Sequence, residues 1–286
     1  GARTGLTPIA VVLATVYWTW LWGPFGLLLA TPITVCLAVV ARHIPDFHFL
    51  SVILSDEQVL TPPVRLYQRL VSLEYDEAYD VAETFAGENG LAALYEQMLL
   101  PALYLAKRDR HRYALDVERG GHVYAGILRI AEEIADEIRA RERAEAPPVA
   151  PVRAPQICIV PAHDEADYIA AVMLARLLAP EYFEALLFSK DLLAAEVVER
   201  VASCDATAVC ISAVPPEAAS NAAYLTKRLR RDVPQKKVVV ALWCVEGDIE
   251  PVARRLRSAG AEAVASRIPE ALEKLRLVVP PGATAG

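Results

Sequence analysis

A run without charge constrains this chain more than any other feature. From Thr4 to Ala41 the sequence holds no Asp, Glu, Lys, Arg or His. At about 1.5 Å of rise per residue the run is roughly 57 Å of helix, while about 20 apolar residues suffice to cross a bilayer. It is too long for one span and suits two helices or one broken helix. The interruptions lie in its middle, at Gly23-Pro24, Gly26 and Thr31-Pro32. Each proline removes a backbone donor and crowds the preceding turn, so Pro24 and Pro32 are natural kink positions. Gly23 and Gly26 permit backbone breaks or close approach where helices pack. Tyr17, Trp18, Trp20 and Trp22 precede the first break, and such amphipathic rings favour a headgroup level. Residues 1–54 are accordingly expected to be a transmembrane α-helical segment, with the lipid bilayer as partner.

The chain begins at Gly1, without Met, a basic n-region or a small-residue cleavage site, so a piece of a larger membrane protein is expected. The formal net charge is −7 and no long basic run exists, which argues against nucleic acid as a partner. Cys36, Cys158, Cys204, Cys210 and Cys244 make no CxxC pair and stand at no metal-type spacing with His. Three of them lie in apolar runs, where free cysteine acts as a small hydrophobe, and the usage suits a reducing compartment.

Beyond the apolar run, Arg42-His43 and Pro45 mark its exit, and Phe47 to Leu54 reads as a shorter interfacial or packing segment. Thr61-Pro62-Pro63 is a helix start, with Thr as N-cap and Pro in the first turn. Leu66, Leu70 and Leu73 recur at helical spacing, and Tyr75–Phe85, Leu91–Lys107 (with Pro101 as a kink) and Leu115–Arg143 are further helices. Together they predict a four-helix module over 55–143. Pro147, Pro148, Pro151 and Pro155 make 144–155 a semi-rigid linker. From 156 to 286, short apolar runs at Ile157–Val160, Ala185–Phe188, Ala206–Ile211, Lys237–Trp243 and Ala263–Ala265 alternate with amphipathic segments. That alternation predicts an α/β flavodoxin-like domain, a doubly wound parallel sheet of about five strands with its ligand site at the strands' carboxyl ends.

Two resemblances add to this. The stretch Leu21-Trp22-Gly23-Pro24-Phe25-Gly26-Leu27-Leu28-Leu29-Ala30-Thr31-Pro32-Ile33-Thr34-Val35 resembles the last membrane segment of the autoinducer-2 exporter family of bacterial permeases. Arg42-His43-Ile44-Pro45 and Ser55-Asp56-Glu57 resemble the exit in members that carry a soluble extension. The resemblance implies the C-terminal portion of a transporter in the bacterial inner membrane, with a cytoplasmic regulatory or interaction tail. Its partners would be the remainder of the permease and either a second copy of the chain or a cytoplasmic protein.

The order helical module, linker, flavodoxin-like domain resembles the cobalamin-binding architecture of corrinoid proteins and light-sensing regulators. Their motif after the first strand is D-x-H-x-x-G, and the aligned stretch here is Pro161-Ala162-His163-Asp164-Glu165-Ala166. His163 takes the place of the cobalt-ligating histidine, Pro161 replaces the Asp that orients its ring, and Ala166 replaces the Gly. The Ser-x-Leu after the third strand survives as Ser212-Ala213-Val214, and the Gly-Gly after the fourth strand is Ala241-Leu242. The resemblance implies His163, Asp164 and Ser212 as cofactor-contacting residues of a degenerate site. The expected state is a module without cofactor, and the alternative is a cobalamin-type sensor acting through His163. No nucleophile elbow or phosphate loop stands out, so no enzyme is expected. His122 and Tyr124 fall near where the helical module would cover a corrin. The basic group Lys227, Arg228, Arg230, Arg231, Lys236 and Lys237 reads as a solvated helix end.

Overall fold

The computed structural model describes residues 8–43, 61–145, 154–178, 183–245 and 247–279. The chain divides into two compact units, residues 1–61 and 62–286.

The first unit is a helical hairpin, α1 (Pro8–Trp22) and α2 (Pro24–His43). Gly23 adopts the left-handed conformation, φ +62°, and reverses the chain between them. Gly26 lets the helices touch: a Cβ there would lie 1.8 Å from the Trp18 carbonyl oxygen. Trp18 Nε1 donates to Thr34 Oγ1 at 3.3 Å, and Thr34 Oγ1 donates to the Ala30 carbonyl at 2.7 Å. Pro24 opens α2 at the first-turn position that needs no donor, and Pro32 lies exposed within it.

The transmembrane segment expected over residues 1–54 is corrected by this hairpin. Among the described residues no helix is long and apolar enough to cross a membrane. The turn at Gly23 divides the run. At about 1.5 Å per residue, α1 rises only about 22 Å, against about 30 Å of bilayer core. The longer α2 contains Pro32 and ends on Arg42 and His43. Pro45, His48, the Phe47–Leu54 segment, Ser55-Asp56-Glu57 and most of the Pro-rich linker lie outside the described residues.

The second unit opens with α3 (Pro62–Val71) and α4 (Tyr75–Asn89). Then α5 (Leu91–Leu94) runs through one π turn (Tyr95–Leu99) into α6 (Leu100–His111). Pro101 explains the irregular turn, because it offers no N–H to the preceding turn and widens the ladder there. A 29-residue helix, α7 (Val117–Glu145), completes the module. The π-turn residue Tyr95 is fully buried and its hydroxyl donates to the Ala131 carbonyl at 2.6 Å, which ties this turn to α7.

The remainder alternates β1 (Gln156–Pro161), α8 (Glu165–Leu177), β2 (Glu184–Leu187), α9 (Ala194–Ser203), β3 (Ala208–Ala213), α10 (Ala218–Asp232), β4 (Lys237–Leu242), α11 (Glu250–Ser258), β5 (Ala263–Ala265) and α12 (Ile268–Val278). The strands are all parallel in the order β2-β1-β3-β4-β5, the flavodoxin-like order. Period-two alternation distributes the strand side chains between two cores. Ile157, Ile159, Cys210, Val239 and Ala241 face α8, α12 and the helical module, in one continuous cluster. Cys158, Val160, Val209, Ile211, Val238 and Val240 face α9, α10 and α11. Because the module shares the first core, it sits firmly against the domain, with α6 and α7 packed on α8.

Candidate functional site

The carboxyl ends of the strands meet the end of α6, and a buried ion cluster lies between them. Asp164 is the N-cap of α8: its side chain accepts from Asp167 N at 3.1 Å, and Asp167 reaches back toward Asp164 N, a capping box. That geometry satisfies the first turn and turns the second Asp167 oxygen inward, where it accepts from Val214 N at 2.8 Å. Lys107, one turn before the end of α6, then crosses from the helical module. Its Nζ lies 2.9 Å from Asp167 Oδ1, 3.0 Å from Asp164 Oδ2 and 2.7 Å from the Val214 carbonyl. Lys107 is 7% exposed and Asp167 0%.

All three ammonium donors therefore have acceptors, which a buried lysine requires. Burial pushes the Asp167 carboxyl above the usual carboxylate range, against the pull of the Lys107 ammonium and the Val214 N–H. We term this arrangement the Lys107 clasp. It joins the helical module to the ends of β1 and β3.

Around the clasp lies a cavity of about 240 Å³, lined by Lys107, Arg110, His111, Tyr124, His163, Asp164, Glu165, Pro216, Glu217 and Asn221. The Arg110 guanidinium stacks 5.1 Å from the centroid of the buried Tyr124 ring. Gly120 makes room for that side chain, since a Cβ there would meet Arg110 Cδ at 2.5 Å. Burial pushes the Tyr124 phenol up. Glu165 pairs with Lys190 at 3.1 Å. Glu217, exposed at the start of α10, sits at φ +66°, a strained conformation for a non-glycine residue.

A second connection crosses further along the sheet. Glu96, in the π turn, accepts from Arg267 Nε at 2.6 Å and from Ile268 N at 2.9 Å. Beside it, Trp243 is buried at the end of β4, and its indole N–H donates to Ser212 Oγ at 2.8 Å.

The sequence-derived candidates are distributed as follows. His163 and Asp164 both line the cavity, His163 exposed at its mouth and Asp164 inside the clasp. Ser212 is buried beneath Trp243 and is not among the cavity's lining residues. Gly23, Pro24, Gly26 and Pro32 belong to the other unit, at the hairpin turn and along α2. His122 is exposed on α7, whereas Tyr124 lines the cavity. Lys107 and Asp167, the centre of the cluster, escaped sequence reasoning. The signal for Lys107 was its place four residues after Leu103 and eight after Leu99, on the buried stripe. For Asp167 it was the Asp-x-x-Asp spacing of a capping box.

The donor set does not suit a corrin. The cavity is below the roughly 300–1,000 Å³ typical of small-ligand pockets, and cobalamin exceeds a drug-sized ligand. Pro161 supplies no side-chain acceptor to orient His163, and the buried Trp243 indole occupies the space beside Ser212. Among the described residues no group of three or more His, Cys, Asp or Glu side chains is placed to hold a metal ion.

No family model matches the sequence. The AI-2 transport protein TqsA of Escherichia coli is 34% identical over 56 residues, which is 20% of this chain and 16% of that protein. Among solved structures, the monomethylamine corrinoid protein of Methanosarcina barkeri superimposes with a TM-score of 0.52 at 16% identity, over 75% of this chain and 96% of that one. A cobalamin-binding protein from Desulfitobacterium hafniense gives a TM-score of 0.40 at 14% identity, over 75% and 97%. The helical module and parallel sheet thus have the fold of a corrinoid protein.

Proposed function

We propose that residues 62–279 are a regulatory binding module on a corrinoid-protein fold, with its cleft held by Lys107 in place of a corrin ring. The clasp is the observation that carries this. A buried ion cluster contributes little net stability over well-packed apolar residues, yet removing one partner is costly, so such clusters serve specificity or switching. Here it spans the two parts of the fold at the position where open α/β sheets bind ligands. Arg110, His111, His163 and Glu217 around it suit a small polar ligand carrying both charges. A ligand that competes for Asp164 and Asp167 would free the Lys107 end of α6 from the strand ends. The short likeness to TqsA supports a transport-related chain as the carrier, and the free cysteines support a cytoplasmic module. As a regulatory domain it carries no catalytic step, and the protein it addresses is the transporter.

A second reading, a cobalamin sensor, is favoured by the fold shared with the Methanosarcina barkeri corrinoid protein and by His163, which stands exposed at the mouth of the cavity on the loop that follows β1. An ultraviolet–visible titration of the whole chain with hydroxocobalamin separates the two, with His163→Ala as control. The expected result is no spectral change at high micromolar cobalamin. A shift that disappears in H163A overturns the clasp reading and makes His163 the cobalt ligand.

A further inference from the structure

On the opposite face of the sheet from the helical module, two thiols lie in contact. Cys158, in the middle of β1, is fully buried, and its Sγ is 3.2 Å from the Sγ of Cys204. Cys204 is half-buried at the end of α9, in the turn 203–207 that leads to β3. Ser203 and Asp205 flank it at the surface, so one sulfur of the pair is reachable and the other is shielded. Lys236 holds its ammonium against this turn, donating to the Cys204 carbonyl at 2.7 Å and the Ala206 carbonyl at 2.6 Å. A disulfide needs the sulfurs at about 2.05 Å. The remaining approach of about 1.1 Å falls on a surface turn rather than on the strand.

We infer that Cys158 and Cys204 form an oxidative modification site, closing a disulfide when the protein meets a low-molecular-weight disulfide such as glutathione disulfide. The Cys204 thiolate attacks one sulfur of the oxidant. That S–S bond breaks, one glutathione leaves as thiolate with the electron pair, and Cys204 becomes a mixed disulfide. Cys158 Sγ then attacks Cys204 Sγ; that S–S bond breaks, and the second glutathione leaves with the electron pair and takes up the Cys158 proton. Two protein thiols are oxidised and one glutathione disulfide is reduced to two thiols. The bond ties α9 to β1, the strand whose end leads into Asp164. It closes the chain over β1, α8, β2 and α9, the units beneath one half of the cleft. This inference is independent of what the cleft binds.

The test is a thiol map of the whole chain after incubation with glutathione disulfide, blocking with iodoacetamide and digestion. The expected result is a cross-linked peptide pair joining Cys158 to Cys204, released by dithiothreitol, with a higher melting temperature in the oxidised protein. Cys204→Ser loses the pair, and Cys210→Ser and Cys244→Ser keep it. Full alkylation of both cysteines after oxidation overturns the proposal. So does stable glutathionylation of Cys204 with Cys158 left free, or a bridge to any other cysteine.

Discussion

Two connections hold the helical module to the strand ends, and they differ in where their charges sit. At the Lys107 clasp the charges are inside: Asp167 has a side-chain exposure of 0% and Lys107 of 8%. At the second connection Arg267 has a side-chain exposure of 72%, with only Glu96 half-sheltered at 16%. The distances are similar, 2.9 Å against 2.6 Å. Geometry alone would rank them equal, and burial separates them. In water an ammonium that loses its carboxylate is rehydrated, whereas in the cleft the remaining charge has nowhere to go. The buried clasp should behave as one unit, and the exposed connection as a set of independent weak bonds.

The sharpest way to break that contrast is Lys107→Ala. It strands Asp167 as a buried carboxylate, and the expected loss is about 3–5 kcal/mol, on the order of 10 °C in melting temperature. Lys107→Met with Asp167→Asn removes both charges while keeping an acceptor for Val214 N. It should cost less than the sum of the two single changes, with a coupling of about 1–3 kcal/mol in urea unfolding. Additive losses would mean that the clasp is not a unit.

Asp164→Ala should cost less, about 1–2 kcal/mol, because it removes an N-cap and one of three acceptors while Asp167 remains paired. Glu96→Ala should follow at about 1 kcal/mol, mainly through the lost acceptor for Ile268 N. Arg267→Ala should leave the melting temperature unchanged, since its guanidinium is solvated. A drop with R267A as large as with K107A would abolish the distinction between the two connections.

The contrast also marks what was legible in the sequence. Strands buried on both faces write themselves as apolar runs, so β1, β3 and β4 and the loop that carries His163 and Asp164 were placed from pattern alone. Lys107 was not, because a lysine on a helix ordinarily marks the solvated face, and nothing local tells a stripe ending in solvent from one ending on a carboxylate 60 residues further along the chain. Trp243 looked like the end of an apolar strand, and only its partner Ser212, from a neighbouring strand, makes it a plug. The hairpin failed in the other direction. The break at Gly23-Pro24 and the close approach at Gly26 were legible, but the apolar composition suggested a bilayer, and no helix among the described residues is long and apolar enough to cross one. Tertiary partners, rather than local propensity, decided each of these cases.

Acid provides the smallest and most discriminating test, because Asp167 in the clasp and Glu270 beside the exposed connection shift in opposite directions. Glu270 accepts from Ser266 N at 2.8 Å and pairs with Lys274, beside the exposed connection. Burial alone would raise its carboxyl, but Lys274 and the Ser266 N–H outweigh it and hold the group below its ordinary value of 4.5. A lowered folded value means that its contribution is present above the unfolded value and lost as pH falls through the folded one. Asp167 is raised by burial, so the sign reverses: protonation relieves its cost, and its part of the stability declines as pH rises through the folded value. Urea midpoints measured between about pH 6 and about pH 3 should therefore fall less steeply in Glu270→Gln than in the parent. Because Glu270 is over a third exposed, the change should be small and diminish with salt. An Asp167→Asn variant should steepen the acid decline relative to the parent, since it removes a titration that opposes it. If both variants flattened the profile equally, the two carboxylates would share one environment, and burial would not be what distinguishes the clasp from its exposed counterpart.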